Sequence, residues 1–283
     1  MFKQKIDKKR RFPNVVGLGA KKCGTGALQY FLSYHSKIKK AHEDEIHFFD
    51  EVSKFPLDFW TNELDGTELD IEHNSTKMEY IQKIGDRYLN KFPATAADEI
   101  TFEKTPRYLA NKYSPLNFKN FYKYYKPSNS KNHENYKNHL ADTKFLVVLC
   151  DPADRSWSDY QHVYKTNYSR YINVWENKYN LTSFEEYVDD VVEKYSRWNP
   201  DGPKNLDYIL EQMENPFSTI IMKGIYLAQI KYWLKVLETE NVTLDNFIFV
   251  NGELLISNPS LVMLQIQYEL DLPVEITNEN FVY

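Results

Sequence analysis

The stretch NVVGLGAKKCGTGALQYF, residues 14–31, reads as strand, glycine-rich turn and helix start in immediate succession. Val15-Val16-Gly17-Leu18 is a short apolar run. Gly19-Ala20-Lys21-Lys22-Cys23-Gly24-Thr25-Gly26 is a loop of small and basic residues, and a helical pattern opens at Ala27-Leu28. Backbone N–H groups at a helix N-terminus point outward and the helix dipole favours an anion there, so these three parts together form a phosphate cradle. Gly19 and Gly24 keep the glycine spacing of a nucleotide-triphosphate loop, but Thr25 stands where that motif needs lysine. The lysine sits earlier, at Lys22, which suits a shorter group such as a 5′-phosphate carrying something to transfer. An ordinary glycine-rich turn is the plainer alternative for the loop taken alone.

Outward from this stretch, candidate strands at Asn14–Leu18, Ile46–Phe49, Ile100–Glu103, Phe145–Leu149 and Phe247–Val250 alternate with helical patterns. Helices are expected over Lys77–Asn90, from the capping box Ser183-Phe-Glu-Glu186 through Trp198, over Phe217–Leu237, and from Asn258-Pro259 to about Leu270. Strands alternating with helices predict an α/β fold, a P-loop-like three-layer arrangement with a central, mainly parallel sheet flanked by helices. Residues 126–139 read as a polar surface insertion.

Composition narrows the function classes. The chain is 42% hydrophobic over 283 residues, enough for a sizeable core. A net charge of −5 does not mark a nucleic-acid binder. No apolar run approaches the ~20 residues of a membrane span, and the start lacks the apolar core of a signal peptide. The basic residues of 1–12 read as a solvated, disordered tail, followed by one domain over 13–283. Two cysteines, Cys23 and Cys150, offer no disulfide framework. Cys23 reads as a small residue tolerated in a tight loop, with a lowered thiol pKa as the sharper alternative. The Asn-x-Ser/Thr sites at Asn74, Asn167, Asn180 and Asn241 fit a lumenal chain, although a chain rich in asparagine gives such sites by chance.

Further candidate groups fall at strand ends. Glu45 lies in HEDEIHFFD, residues 42–50, and Lys104 in Phe102-Glu-Lys-Thr-Pro106. A lysine just past a strand's C-terminal end lies where open α/β sheets bind ligands. The run from Asp151 to His162 carries Arg155, Ser158 and His162 at helical spacing on one face. An arginine and a hydroxyl so placed can hold a second phosphate. No metal-ligand spacing is present, and no metal is expected.

With their order and spacing, Lys-Lys-Cys-Gly-Thr-Gly-Ala-Leu, Glu-Ile-His-Phe-Phe, Phe-Glu-Lys-Thr-Pro-Arg-Tyr and the run 151–162 resemble heparan sulfate sulfotransferases over roughly residues 12–283. Pro-Ala-Asp-Arg and Tyr-Gln-His most resemble the sulfotransferase domain of heparan sulfate N-deacetylase/N-sulfotransferase. Glu-Ile-His-Phe-Phe-Asp, Glu-Lys-Thr-Pro and Ser-Asp-Tyr lean to the 3-O-sulfotransferases. Cys150, standing where those enzymes carry an arginine before Asp-Pro, tilts the balance to N-sulfation.

The resemblance implies the donor 3′-phosphoadenosine 5′-phosphosulfate and a heparan-type polysaccharide acceptor in the Golgi lumen. It implies that Lys21, Lys22, Cys23, Gly24, Thr25, Gly26 and Ala27 hold the 5′-phosphosulfate, with Lys22 neutralising the leaving phosphate. Lys104 would act at the transferred sulfuryl group, and Glu45 as base. Arg155 and Ser158 would take the 3′-phosphate, with His162 near the acceptor or nucleotide. The family continues past the equivalent of Tyr283 with a cysteine-bridged hairpin, so a fragment or an inactive nucleotide- or glycan-binding copy is the alternative expectation. A P-loop kinase ranks behind both, because no lysine follows Gly24.

Overall fold

The computed structural model describes residues 8–51, 54–55, 59, 74–126, 139–166, 183–198, 206–215 and 218–281. The polar insertion at 127–138 and the sites Asn167 and Asn180 lie outside the described residues.

Five strands form one sheet in the order β2-β3-β1-β4-β5, and every pairing is parallel. They are β1 (Val15–Gly19), β2 (Ile38–Lys40), β3 (Ile100–Lys104), β4 (Lys144–Leu149) and β5 (Phe247–Asn251). All of β1 is buried, as its unbroken apolar run requires of a central strand covered on both faces. Helices between the strands make the crossovers: α1 (Thr25–Leu32), α2 (Ser75–Leu89), α3 (Ser114–Tyr124), α4 (His139–Asp142) and α5 (Pro152–Lys165). Beyond them come α6 (Phe184–Trp198), α7 (Leu206–Glu214), α8 (Thr219–Met222), α9 (Tyr226–Leu237), α10 (Gly252–Ser257) and α11 (Pro259–Glu269).

Local chemistry sets the helix starts. Ser183 Oγ accepts from the Glu186 amide at 3.1 Å while the Glu186 carboxylate accepts from the Ser183 amide at 3.2 Å, a closed capping box. Asn258 accepts from the Leu261 amide at 3.3 Å, with Pro259 in the first turn. The stripe expected as one helix over 217–237 is two. Around Lys223-Gly224 the amides of Gly224 and Ile225 reach back only three residues, to Ile221 and Met222. That tightening ends α8 and starts α9 in a new direction.

Two expectations are corrected. Ile46–Phe49 is not a strand, and the fifth strand is Ile38–Lys40, a three-residue edge. The amides of 46–49 are satisfied by side-chain hydroxyls instead of a neighbouring strand. Ile46 and His47 donate to Thr105 Oγ1 at 3.2 and 3.3 Å, and Phe48 and Phe49 to the Tyr108 hydroxyl at 2.9 and 3.4 Å. The basic segment is also not free from Lys8 on. Lys9 exchanges backbone hydrogen bonds with Thr95 at 3.0 and 2.9 Å, and Arg11 Nη1 donates to the Ala96 carbonyl at 2.6 Å. Phe12 is buried against Tyr122 and Phe121. The physical driver is this aromatic anchor, which drags the preceding cations to the surface beside it.

Phe12 belongs to an aromatic core that extends under 46–49. Phe48 stacks on Tyr88 at 4.4 Å between centroids, and Phe49 stacks on Phe118 at 3.7 Å. Each such pair adds about 0.5–1.5 kcal/mol beyond area burial, so a segment without ladder bonds is fixed by its two phenylalanines.

Candidate active site

The loop after β1 leads into α1, whose first turn carries no acidic residue and whose N-cap, Gly24, makes no side-chain cap bond. The first amides of a helix have no intrahelical acceptor, so this end is left to bind an anion. Gly24 has φ 92°, the left-handed region open to glycine. Lys22 has φ 76°, a conformation that costs a non-glycine residue roughly 1–3 kcal/mol. Thr25 is buried, whereas Lys21, Lys22, Gly24 and Ala27 are half-buried and Gly26 is exposed.

The loop is tied down on two sides. Cys23 and Cys150 form a disulfide, bridging the loop to the residue after β4 across a sequence separation of 127. This corrects the expectation of two unrelated thiols: nothing in the spacing of residues so far apart shows that adjacent parallel strands bring their C-terminal ends together. The Tyr226 hydroxyl, at the start of α9, donates to the Cys150 carbonyl at 3.1 Å and lies 3.4 Å from Cys23 Sγ. The second tie is Lys21, whose ammonium pairs with Asp159 of α5 at 2.8 Å.

Lys104 ends β3 beside Gly17 of β1. A Cβ on Gly17 would stand 2.9 Å from Lys104 Cγ. Glycine there opens the path by which the lysine crosses the sheet edge. Its buried ammonium meets Glu45 Oε1 at 2.8 Å. The other oxygen of Glu45 lies 3.3 Å from His47 Nε2, and His47 Nδ1 lies 2.9 Å from Asp50. Asp50 is fully buried, with Arg107 Nε at 3.8 Å. Lys104, Glu45, His47 and Asp50 thus form a chain of alternating charge.

Each member sets its neighbour's protonation. Burial would raise the Glu45 pKa, but hydrogen bonds from His47 and Lys104 overcome it and hold the carboxyl at about 2. Hydrogen bonds to Asp50 and then Glu45 raise His47 to about 9 against burial, so it is imidazolium at neutral pH. His47, like Lys22, has positive φ, at 52°.

Behind this chain lies a buried carboxyl. Glu103 accepts from Tyr88 at 2.5 Å and from Tyr108 at 3.4 Å. Burial is the first cause of a rise in its pKa to about 8. Alternation along β3 sends Lys104 to the site and Glu103 to the tyrosines. Tyr108 in turn holds the amides of Phe48 and Phe49, so one strand end supports the Glu45 segment from both faces.

The expected residues of α5 separate. His162 is half-buried, and burial followed by the nearby charges of Lys21 and Lys22 lowers its pKa, which places it beside the loop. Ser158 is half-buried on the same helix. Arg155 does not face outward with them: it is 1% exposed. Its guanidinium donates to Asp159 at 3.2 Å, to Ser156 at 3.1 Å and to the Ile220 carbonyl. The cleft it edges, near Lys21 and Arg107, holds about 10 Å³, room for about one water. Arg155 is a strut between α5 and α8, and its spacing to Ser158 does not bring the two into one phosphate grip.

Sequence reasoning singled out Glu45 and Lys104 but missed His47, Asp50, Thr105 and Tyr108. His47 had a signal, since i and i+2 share a side in an extended segment. Asp50 and the two hydroxyls act through tertiary contacts that no local pattern carries.

The profile of the sulfotransferase domain family matches residues 13–282. Human heparan sulfate glucosamine 3-O-sulfotransferase 6 is 25% identical over 276 residues, covering 97% of this chain and 57% of that protein. Human heparan sulfate glucosamine 3-O-sulfotransferase 3B1 is 24% identical over 274 residues, covering 97% and 50%. The chain therefore spans about half the length of these relatives. A solved sulfotransferase from Alicyclobacillus acidocaldarius shares the fold with a TM-score of 0.56 at 21% identity, covering 94% of this chain and 84% of that one. The lean toward the N-sulfotransferase domain is corrected by these 3-O relatives. Pro-Ala-Asp-Arg, one of the pieces behind that lean, builds the start of α5 and the buried Arg155 strut, and Cys150, which tilted it, is one half of the disulfide to the loop.

Proposed function

This chain belongs to the sulfotransferase domain family, and from that premise we propose that it transfers a sulfuryl group from 3′-phosphoadenosine 5′-phosphosulfate to a heparan-type polysaccharide, at the 3-hydroxyl of glucosamine. The observation that carries the reading is the buried Lys104 ammonium bonded to Glu45 at the end of β3, next to the strand that feeds the loop. The named relatives support the acceptor and its position.

The donor supplies an activated sulfuryl group on a phosphate leaving group. The residues present fit its 5′ end: a helix N-terminus without acidic residues, Lys22 in a strained loop, and the Thr25 hydroxyl. Ser158 is the candidate for the 3′-phosphate, and Arg155 positions α5 without touching it. His162, whose pKa is lowered by burial and then by the charges of Lys21 and Lys22, is the candidate for a contact to acceptor or nucleotide.

Glu45 takes the proton of the acceptor hydroxyl. A carboxylate held at about 2 is a weak base. When Lys104 turns its ammonium toward the sulfuryl oxygens, Glu45 loses one of its two restraining bonds and its proton affinity rises. The acceptor oxygen then forms its bond to sulfur as the sulfur–phosphate oxygen bond breaks. The electron pair stays on the leaving phosphate, where Lys22 neutralises it, and 3′,5′-adenosine bisphosphate departs. Positioning and fixed charge supply the catalysis.

The Golgi lumen is the compartment this reading implies, and a disulfide between the only two cysteines suits an oxidising space. No helix among the described residues is long and apolar enough to cross a membrane. The test is donor-dependent sulfation of heparan chains followed by disaccharide mapping. The reading expects new sulfate on the 3-hydroxyl; transfer confined to free amines, or none to any heparan acceptor, overturns it.

A further inference from the structure

On the other side of the Glu45 segment lies a cavity of about 500 Å³ between that segment and α2. Phe48 and Tyr88 line it, and four cationic side chains surround it: Lys54, Lys83, Arg87 and Lys91. No carboxylate lines it among the described residues. Two of the cations are engaged in building the wall. Lys54 donates to the His47 carbonyl at 2.9 Å and pairs with Glu51 at 2.7 Å, and Lys91 pairs with Glu43. The other two, Lys83 and Arg87, are four residues apart and so share one face of α2. Both are exposed, and neither has an ion pair among the described residues.

We propose that this basic cavity is a second anion-binding site, which grips a sulfate or carboxylate of the polyanionic acceptor away from the residue being sulfated. The inference rests on the polysaccharide reading above. Three features of the cavity carry it. Position comes first: Phe48, which lines the cavity, directly follows His47 of the reaction centre, so one segment separates the two sites. Local charge comes second. The chain as a whole carries −5, which repels a polyanion, so capture needs a concentrated basic patch that overrides the net field. The third is shape: a concave site with the half-buried Tyr80 ring in its wall and a rim of cationic donors offers a saccharide carrying an anionic group both an apolar face and charge, which a flat lysine surface does not. Lys54 and Lys91 set the wall, while Lys83 and Arg87 make the charge-assisted contacts.

The test uses the full chain and a fluorescent heparin octasaccharide. Lys83→Ala/Arg87→Ala should weaken binding about ten-fold at low salt, the loss of roughly one charge-assisted contact. Screening should shrink the difference as salt rises. The same charge removed from α9, by Lys231→Ala/Lys235→Ala, should weaken binding less than two-fold. In transfer assays the first pair should raise KM for long chains while leaving kcat, the donor KM and turnover of an acceptor too short to reach the cavity unchanged. Equal weakening by both pairs, or none by the first, overturns the second site. If the wild type transfers no sulfate to any acceptor, the functional reading falls, and octasaccharide binding still decides the site.

Discussion

The two halves of the reaction centre are held by opposite means. The loop 19–25 is fixed through its own backbone: a strand feeds it, a helix receives it, and a disulfide and one ion pair staple its crown. The Glu45–Asp50 segment has no ladder and no helix. It hangs from the hydroxyls of Thr105 and Tyr108, two stacked phenylalanines and its own alternating charges. In the proposed reaction the contrast separates the part that would bind a constant group from the part that would exchange partners. There a covalently pinned loop suits the phosphate, and a carboxylate clamped by side-chain ion pairs alone can be released to accept a proton.

Breaking the staple should give the largest effect. Cys150→Ser opens a covalent loop that spans 127 residues of sequence, and unfolding free energy should fall by about 3–5 kcal/mol, measured by denaturant titration. A fall below 1 kcal/mol would show that the loop is held without the disulfide.

Next in size is the clamp. Lys104→Ala should reduce sulfate transfer about 10²–10³-fold, since it removes a cation from the developing charge. Thermal stabilisation by 3′,5′-adenosine bisphosphate should survive, because the loop stays stapled. Loss of both together would merge the two halves into one.

Smaller again is the hydroxyl support. Tyr108→Phe strips the acceptor from two buried amides and a donor from Glu103, and should cost about 2 kcal/mol of stability. Transfer should fall further than nucleotide binding. An equal fall in both would mean that the segment serves the core and not the site.

These contrasts also explain what the sequence disclosed. Residues 14–31 were legible because every requirement of the loop is local: apolar run, glycine at a positive-φ turn, helix start. Lys104 was legible from its place at a strand end. The segment 46–49 was misread as a strand because its apolar run matches a strand and its true hydrogen-bond acceptors lie about 60 residues away. The short strand at 38–40 is too brief and too basic to signal itself. Arg155 looked like a phosphate ligand because helical spacing gives a face without saying which face is buried. Asp159 and the Ile220 carbonyl decide that.

The smallest effect is on pH dependence. His47 is raised from 6.5 to about 9, so its stabilising charge is fully present below 6.5 and lost as pH climbs through about 9. Glu45 is depressed from 4.5 to about 2, so its contribution holds above 4.5 and is lost as pH falls through about 2. Transfer should therefore decline on an alkaline limb near 9. In His47→Gln that limb should vanish, and an acid limb should rise toward the ordinary carboxylate range. An unchanged profile in the variant would remove His47 from the clamp.

The most direct test of the central claim, that Glu45 is the base of a sulfuryl transferase, is the initial rate of donor-dependent sulfate transfer to heparan by Glu45→Gln. The Kd for 3′,5′-adenosine bisphosphate is taken on the same sample. The account predicts a fall in rate of at least about 100-fold, in the range for loss of a general base, at unchanged Kd. A rate within two-fold of wild type at unchanged Kd would contradict it.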